Sequence, residues 1–175
     1  MPVIEVVRGD ITTESTDAIV NAANSTLTGG GGVDGAIHAA AGPRLLEECR
    51  EVRRTAYRDG LPIGEAVATG AGDLPCRWVI HTVGPNWNRG QRDPERLASC
   101  YRRSLEVAEE IGATSVAFPA VSAGVYGWDK DVVAGIAVEA VRAALPGTTV
   151  GLVRFILFSD ALERAFTAAL EETKP

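Results

Sequence analysis

Asn24, the four glycines 29–32, Asp34 and His38 fall within one short stretch, NSTLTGGGGVDGAIH. An amide such as Asn24 can hold a sugar hydroxyl, and a carboxylate such as Asp34 can orient a water or take its proton. The glycines between them are costly to order, and a purely structural turn needs only one or two. Their use in chemistry is therefore to let a backbone approach something closely. Three readings follow. One is a flexible strand-to-helix turn. A second is a dinucleotide fingerprint, since Gly30, Gly32 and Gly35 satisfy G-x-G-x-x-G. Its context is wrong: Asn24 to Thr28 separate the glycines from the preceding apolar run, and the region that should form a second strand, LLEECREV, is helical in pattern. The phosphate-loop pattern also fails, because no lysine follows the glycines. The third reading is a diphosphate cradle made of bare N–H groups and a helix N-terminus.

A second loop favours the cradle. PAVSAGVYGWD, residues 119–129, also leaves a strand and precedes a helix, with Gly124 and Gly127 around Val125 and Tyr126. Loops at the carboxyl ends of parallel strands share one edge, where ligands bind. Two such loops can clamp a pyrophosphate from both sides.

His38 lies one helical turn after Asp34, on the same face. It either orients the carboxylate or is a satisfied buried histidine, and both readings stand open. His81, within VIHTV, reads as structural. Neither histidine has a metal-like partner set, so no metal is expected. The cysteines, Cys49, Cys76 and Cys100, are odd in number and widely spaced, with neither a disulfide framework nor a Cys-His nucleophile signature.

Elements must position these groups. Strands are expected over 3–8, 17–23, 65–72, 77–83, 114–120 and 149–158. Helices are expected from about Gly35 to Ala41 and over 43–58, 94–111, 129–145 and 160–172. The third of these buries Leu97, Tyr101, Leu105 and Ala108; the fourth turns Val133, Ile136, Ala140, Val141 and Ala144 inward. Strands alternating with helices make the class α/β, with helices covering a largely parallel sheet. The 175 residues suit one domain over 1–175, and 46% hydrophobic content suffices for a continuous core. A net charge of −6 argues against broad nucleic-acid binding. No apolar run approaches the roughly 20 residues of a membrane span. MPVIEVVRGD lacks signal-peptide features, and with the cysteine usage this points to a cytoplasmic setting.

GDIT (9–12), DAIVNAAN (17–24), GGGGVDGAIHAAAG (29–42), VIHTVGP (79–85) and FPAVSAGVYG (118–127), in this order, resemble a macrodomain of the MacroD-type hydrolase branch, from about residue 3 to 170. The resemblance implies a three-layer α/β/α sandwich with a mixed, largely parallel sheet that binds ADP-ribose. It also implies removal of ADP-ribose from acidic protein side chains and deacetylation of O-acetyl-ADP-ribose. By resemblance, Asp10 accepts a hydrogen bond from the adenine amino group, with Ile11 beside the base. Phe158 stacks on adenine, against an alternative of core packing. Ala23, Gly31, Gly32 and Val33, with Ser122, Ala123, Gly124, Val125 and Tyr126, hold the phosphates and distal ribose. Asn24 orients that ribose, and Asp34 faces the scissile bond. Two roles stay open for Asp34: activating the water, or positioning it while a substrate phosphate activates it. Ala123 stands where relatives carry Ser or Thr. The expected partners are ADP-ribose, ADP-ribosylated proteins or O-acetyl-ADP-ribose, with nucleic acid only as a modified terminus or base, no membrane, no cofactor and a monomeric state. The competing readings are a non-catalytic ADP-ribose reader, a hydrolase of ADP-ribosylated nucleic acid and a nicotinamide-dependent oxidoreductase.

Overall fold

The computed structural model describes residues 1–172; residues 173–175, the end of the expected domain range, lie outside the described residues. Six strands form one sheet: β1 (Val3–Arg8), β2 (Ala18–Ala23), β3 (Ala66–Gly70), β4 (Trp78–Val83), β5 (Ser115–Phe118) and β6 (Leu152–Leu157). Their spatial order is β1-β6-β5-β2-β4-β3. All neighbours are parallel except the edge pair β3–β4, so the sheet is mixed.

Five helices cover it: α1 (Gly32–Ala41), α2 (Pro43–Thr55), α3 (Pro94–Glu110), α4 (Lys130–Ala144) and α5 (Asp160–Glu172). Strand alternation splits the core into two faces. Ala18, Val20, Ile80, Phe118 and Phe155 pack with α3, α4 and α5. Ile19, Ala23, Val79 and Ile156 pack with Ile37 of α1 and with Leu45 and Cys49 of α2. This is a three-layer α/β/α sandwich. Among the described residues no helix is long and apolar enough to cross a membrane.

Several boundaries differ from expectation. Helix α1 begins at Gly32 rather than Gly35, because the last glycine of the run supplies its first turn instead of a loop. Asp34 is therefore inside the helix, not at its cap. Helix α2 ends at Thr55, before 58. The strands around 114–120 and 149–158 shorten to four and six residues. Along α4 the fully buried positions are Val133, Ala134, Ala137, Val138 and Val141, whereas Ile136, Ala140 and Ala144 are only partly covered. The inward stripe is thus rotated from the one expected and runs over Val133, Ala134, Ala137, Val138 and Val141.

Candidate functional site

Strands β2 and β5 pair in parallel, Ala18 with Val116 and Ile19 with Ala117. Their carboxyl ends therefore open on the same edge, and the two glycine loops leave side by side. Between them lies a cleft of about 300 Å³. Ala23, Asn24 and Gly30 to Asp34 form one wall. Pro119 to Ser122 and Gly124 to Tyr126 form the other; Gly84 and Phe158 also border it. Phe158 lies just past β6 and is 65% exposed, so the core-packing alternative is excluded.

Both walls offer unpaired amides. Helix α1 has Gly31 as its cap with no capping side chain, and its first N–H groups have no acceptor among the described residues. Opposite, the N–H groups of Ser122, Gly124, Val125 and Tyr126 have no protein acceptor among the described residues. Unsatisfied amides and the positive end of a helix dipole suit an anion.

Close packing holds the loops in place. A Cβ on Gly35 would sit 2.4 Å from the Gly30 carbonyl oxygen, so this position needs glycine for the first loop to fold onto α1. A Cβ on Gly84 would meet Ser122 Oγ at 2.2 Å. The Ser122 hydroxyl donates to Pro85 O at 2.8 Å, and this residue holds a φ of 71°, a strained value for a side-chain-bearing residue. The buried Tyr101 hydroxyl accepts from Val121 N–H at 3.2 Å, while Trp87 N–H donates to Tyr126 O at 2.8 Å. Trp128 N–H closes the loop onto Ser122 O at 3.2 Å.

Asp34 is 5% exposed. Its Oδ1 accepts from Asn21 Nδ2 at 2.8 Å. Burial pushes its carboxyl upward from the ordinary range, and the Asn21 hydrogen bond and nearby His38 act against that rise. His38 Nε2 lies 3.5 Å from Asp34 Oδ1 without a hydrogen bond between them. Asn24 is half-buried; its Nδ2 donates to Gly29 O at 3.0 Å and its Oδ1 accepts from Thr26 Oγ1 at 2.7 Å. Gly30 lies between the pair, with its would-be Cβ 3.4 Å from Asp34 Oδ2 and 3.6 Å from Asn24 Nδ2.

Some expected residues stand apart. Asp10 is exposed and caps the 3₁₀ turn at Ile11–Thr13, accepting from Thr12 N–H at 2.9 Å; neither it nor the buried Ile11 borders the cleft. Ala123 packs against the core on the α3–α5 face. His38 lies behind Gly29, its ring 3.5 Å from the would-be Cβ there. The residue missed was Asn21, the amide that touches Asp34. Its signal was a polar side chain at the inward position of an apolar strand, AIVNAA, in step with Ile19 and Ala23.

The Macro domain family model matches residues 20–137, which span both glycine loops. The chain belongs to the macro domain family. A macro domain-containing protein of Streptomyces coelicolor is 58% identical over 167 residues, covering 95% of this chain and 98% of that protein. An O-acetyl-ADP-ribose deacetylase of Escherichia fergusonii is 47% identical, covering 97% and 96%. Among solved structures, an Oceanobacillus iheyensis macrodomain variant with ADP-ribose superposes with a TM-score of 0.91 at 45% identity, covering 97% of this chain and 92% of that one. This macrodomain carries both loops and the Asn24–Asp34 pair on the edge where the parallel strands end.

Proposed function

We propose that this macrodomain binds ADP-ribose in the cleft and hydrolyses the ester at its distal ribose. It thereby releases mono-ADP-ribose from acidic protein side chains and deacetylates O-acetyl-ADP-ribose, as a MacroD-type hydrolase. The observation that carries the reading is Asp34 Oδ2 facing Asn24 across Gly30, beside two rows of free amides. The ligands and printed activity of the relatives support it. In this reading the pyrophosphate lies between the start of α1 and the amides of Ser122 to Tyr126. Phe158 stacks on adenine, which extends past the rim of the cleft so that its amino group reaches Asp10 beside Ile11. Asn24 orients the distal ribose. Asp34 holds the attacking water and takes its proton as the oxygen adds to the ester carbonyl; the ribose hydroxyl then leaves with a proton, giving a carboxylate and free ADP-ribose. General-base assistance of this kind contributes about 10²–10⁴-fold.

The test is release of ADP-ribose from a protein mono-ADP-ribosylated on glutamate, together with acetate release from O-acetyl-ADP-ribose. Wild type should turn over both, and Asp34→Ala and Asn24→Ala should lose at least about a hundredfold in rate. Binding of ADP-ribose without turnover of either substrate would reduce the protein to a reader.

A further inference from the structure

Beneath Asp34 the sheet carries a buried polar row that does not border the cleft. Asn21 on β2 and His81 on β4 are register partners, both 0% exposed. Thr69 on β3 lies diagonally across from His81, since Val67 is its direct partner and Thr69 pairs with Val79. Asn21 Nδ2 is 2.8 Å from Asp34 Oδ1 and 3.1 Å from His81 Nδ1. His81 Nε2 is 3.0 Å from Thr69 Oγ1, whose own hydroxyl proton goes to Gly70 O at 2.9 Å.

Donor accounting over Thr69, His81 and Asn21 gives one consistent arrangement of protons. Because the Thr69 hydroxyl donates to Gly70, its oxygen is an acceptor for His81, so Nε2 carries the ring proton. Nδ1 is then a lone pair and accepts from Asn21. One Asn21 N–H goes to His81 and the other to Asp34, while Asn21 Oδ1 stays unpartnered. A turned-over amide would aim Oδ1 at both the carboxylate oxygen and the Nδ1 lone pair, and both contacts would repel. Leaving a buried acceptor unmet is costly, and an apolar row would pack this face without that cost. The row therefore makes sense through what it holds at its end.

His81 has one further neighbour that bears on its chemistry, Cys49. Cys49 Sγ is 3.7 Å from Nε2, but burial pushes the thiol up to about 12 and the imidazole down to about 3, so no thiolate–imidazolium pair forms.

We propose that His81 is a positioning residue for Asp34: held as its Nε2–H tautomer by Thr69, it locks the Asn21 amide with Nδ2 turned to the carboxylate. The catalytic consequence rests on the hydrolase reading above. The proton assignment does not.

The experiment compares wild type, His81→Phe and His81→Asn. Long-range proton–nitrogen correlation spectra of labelled wild type should show a pyridine-type Nδ1 and a protonated Nε2. His81→Phe keeps the ring's bulk but removes the acceptor; its kcat should fall about tenfold or more, a part of the general-base contribution, with the Kd for ADP-ribose within about twofold of wild type. His81→Asn can return an acceptor oxygen near the Nδ1 position and should recover kcat. Should His81→Phe fail to fold, Thr69→Val, which removes the acceptor for Nε2, should lower kcat in the same selective way. An Nδ1–H tautomer in wild type, an unchanged kcat in folded His81→Phe, or kcat and affinity lost in parallel would each overturn the proposal. If wild type binds ADP-ribose without turnover, the hydrolase reading fails. The proposal is then decided by the tautomer and by whether His81→Phe moves the Asn21 carboxamide resonances, with unmoved resonances counting against it.

Discussion

Gly35→Ala sets two effects of opposite sign against each other. Gly35 sits inside α1, where alanine is favoured over glycine by about 0.5–1 kcal/mol. Propensity alone predicts stabilisation. The structure predicts the reverse, because the new Cβ would lie 2.4 Å from the Gly30 carbonyl oxygen, while ordinary contact begins at 3.4 Å. Relief requires about 1 Å of movement between two backbone segments, and overpacking of this kind costs about 1–3 kcal/mol. The net effect is a loss of up to about 2.5 kcal/mol, centred on about 1 kcal/mol. For a chain of this length each kcal/mol moves Tm by about 2–4 °C. Gly135 in α4 is the matched control, since nothing lies within 4 Å of its would-be Cβ. Scanning calorimetry should show Gly35→Ala melting a few degrees below wild type and Gly135→Ala at or above it. Titration calorimetry with ADP-ribose should show weaker binding for Gly35→Ala alone, because Gly30 cannot retreat without dragging Gly31 and Gly32. Equal stabilisation by both substitutions, with affinity intact, would refute the close-approach argument.

Asp34→Asn tests burial of the carboxylate. A folded carboxyl that holds its proton more tightly than the unfolded chain costs nothing below the ordinary value of 3.8, and its cost grows as pH rises through the folded value. The variant should therefore gain stability relative to wild type as pH is raised from about 3 toward neutrality in paired thermal melts; a gain for wild type relative to the variant over that range would contradict it. Phe158→Ala should leave stability within about 0.5 kcal/mol, as for an exposed site, yet weaken ADP-ribose binding by roughly tenfold if stacking contributes about 1–3 kcal/mol. Unchanged affinity in calorimetry would remove Phe158 from the adenine site. Tyr101→Phe deletes an acceptor for Val121 N–H, which keeps Pro119 O at 3.1 Å. The loss should be near the low end of a buried hydrogen bond, about 1 kcal/mol, read as a drop in Tm together with reduced ADP-ribose affinity.

The elements were legible in the residues because their signals are local. Short, largely apolar and β-branched runs mark β1, β2 and β4, and the three-to-four spacing of Leu97, Tyr101, Leu105 and Ala108 marks α3. The pairing of the two glycine loops was legible through a topological rule: parallel strands end on a common edge, and β2 and β5 are neighbours. Other features depend on partners distant in sequence. That α1 begins at Gly32 could not be read from glycines, which carry no side-chain preference to mark a helix start. The rotation of the α4 stripe depends on how α4 packs between α3 and α5, which lie distant in sequence.

Sequence alone determined the chemistry available: an amide and a carboxylate flanking a glycine run, and a second glycine loop to face them. Tertiary structure decided which groups meet. It brought Asn21 and His81 side by side across parallel strands 60 residues apart in the chain and set Asp34 over them in the first turn of α1. It left Asp10 capping a turn outside the cleft. A hydrogen bond forms only within about 3 Å, and for residues on different strands that distance is fixed by sheet register and helix packing.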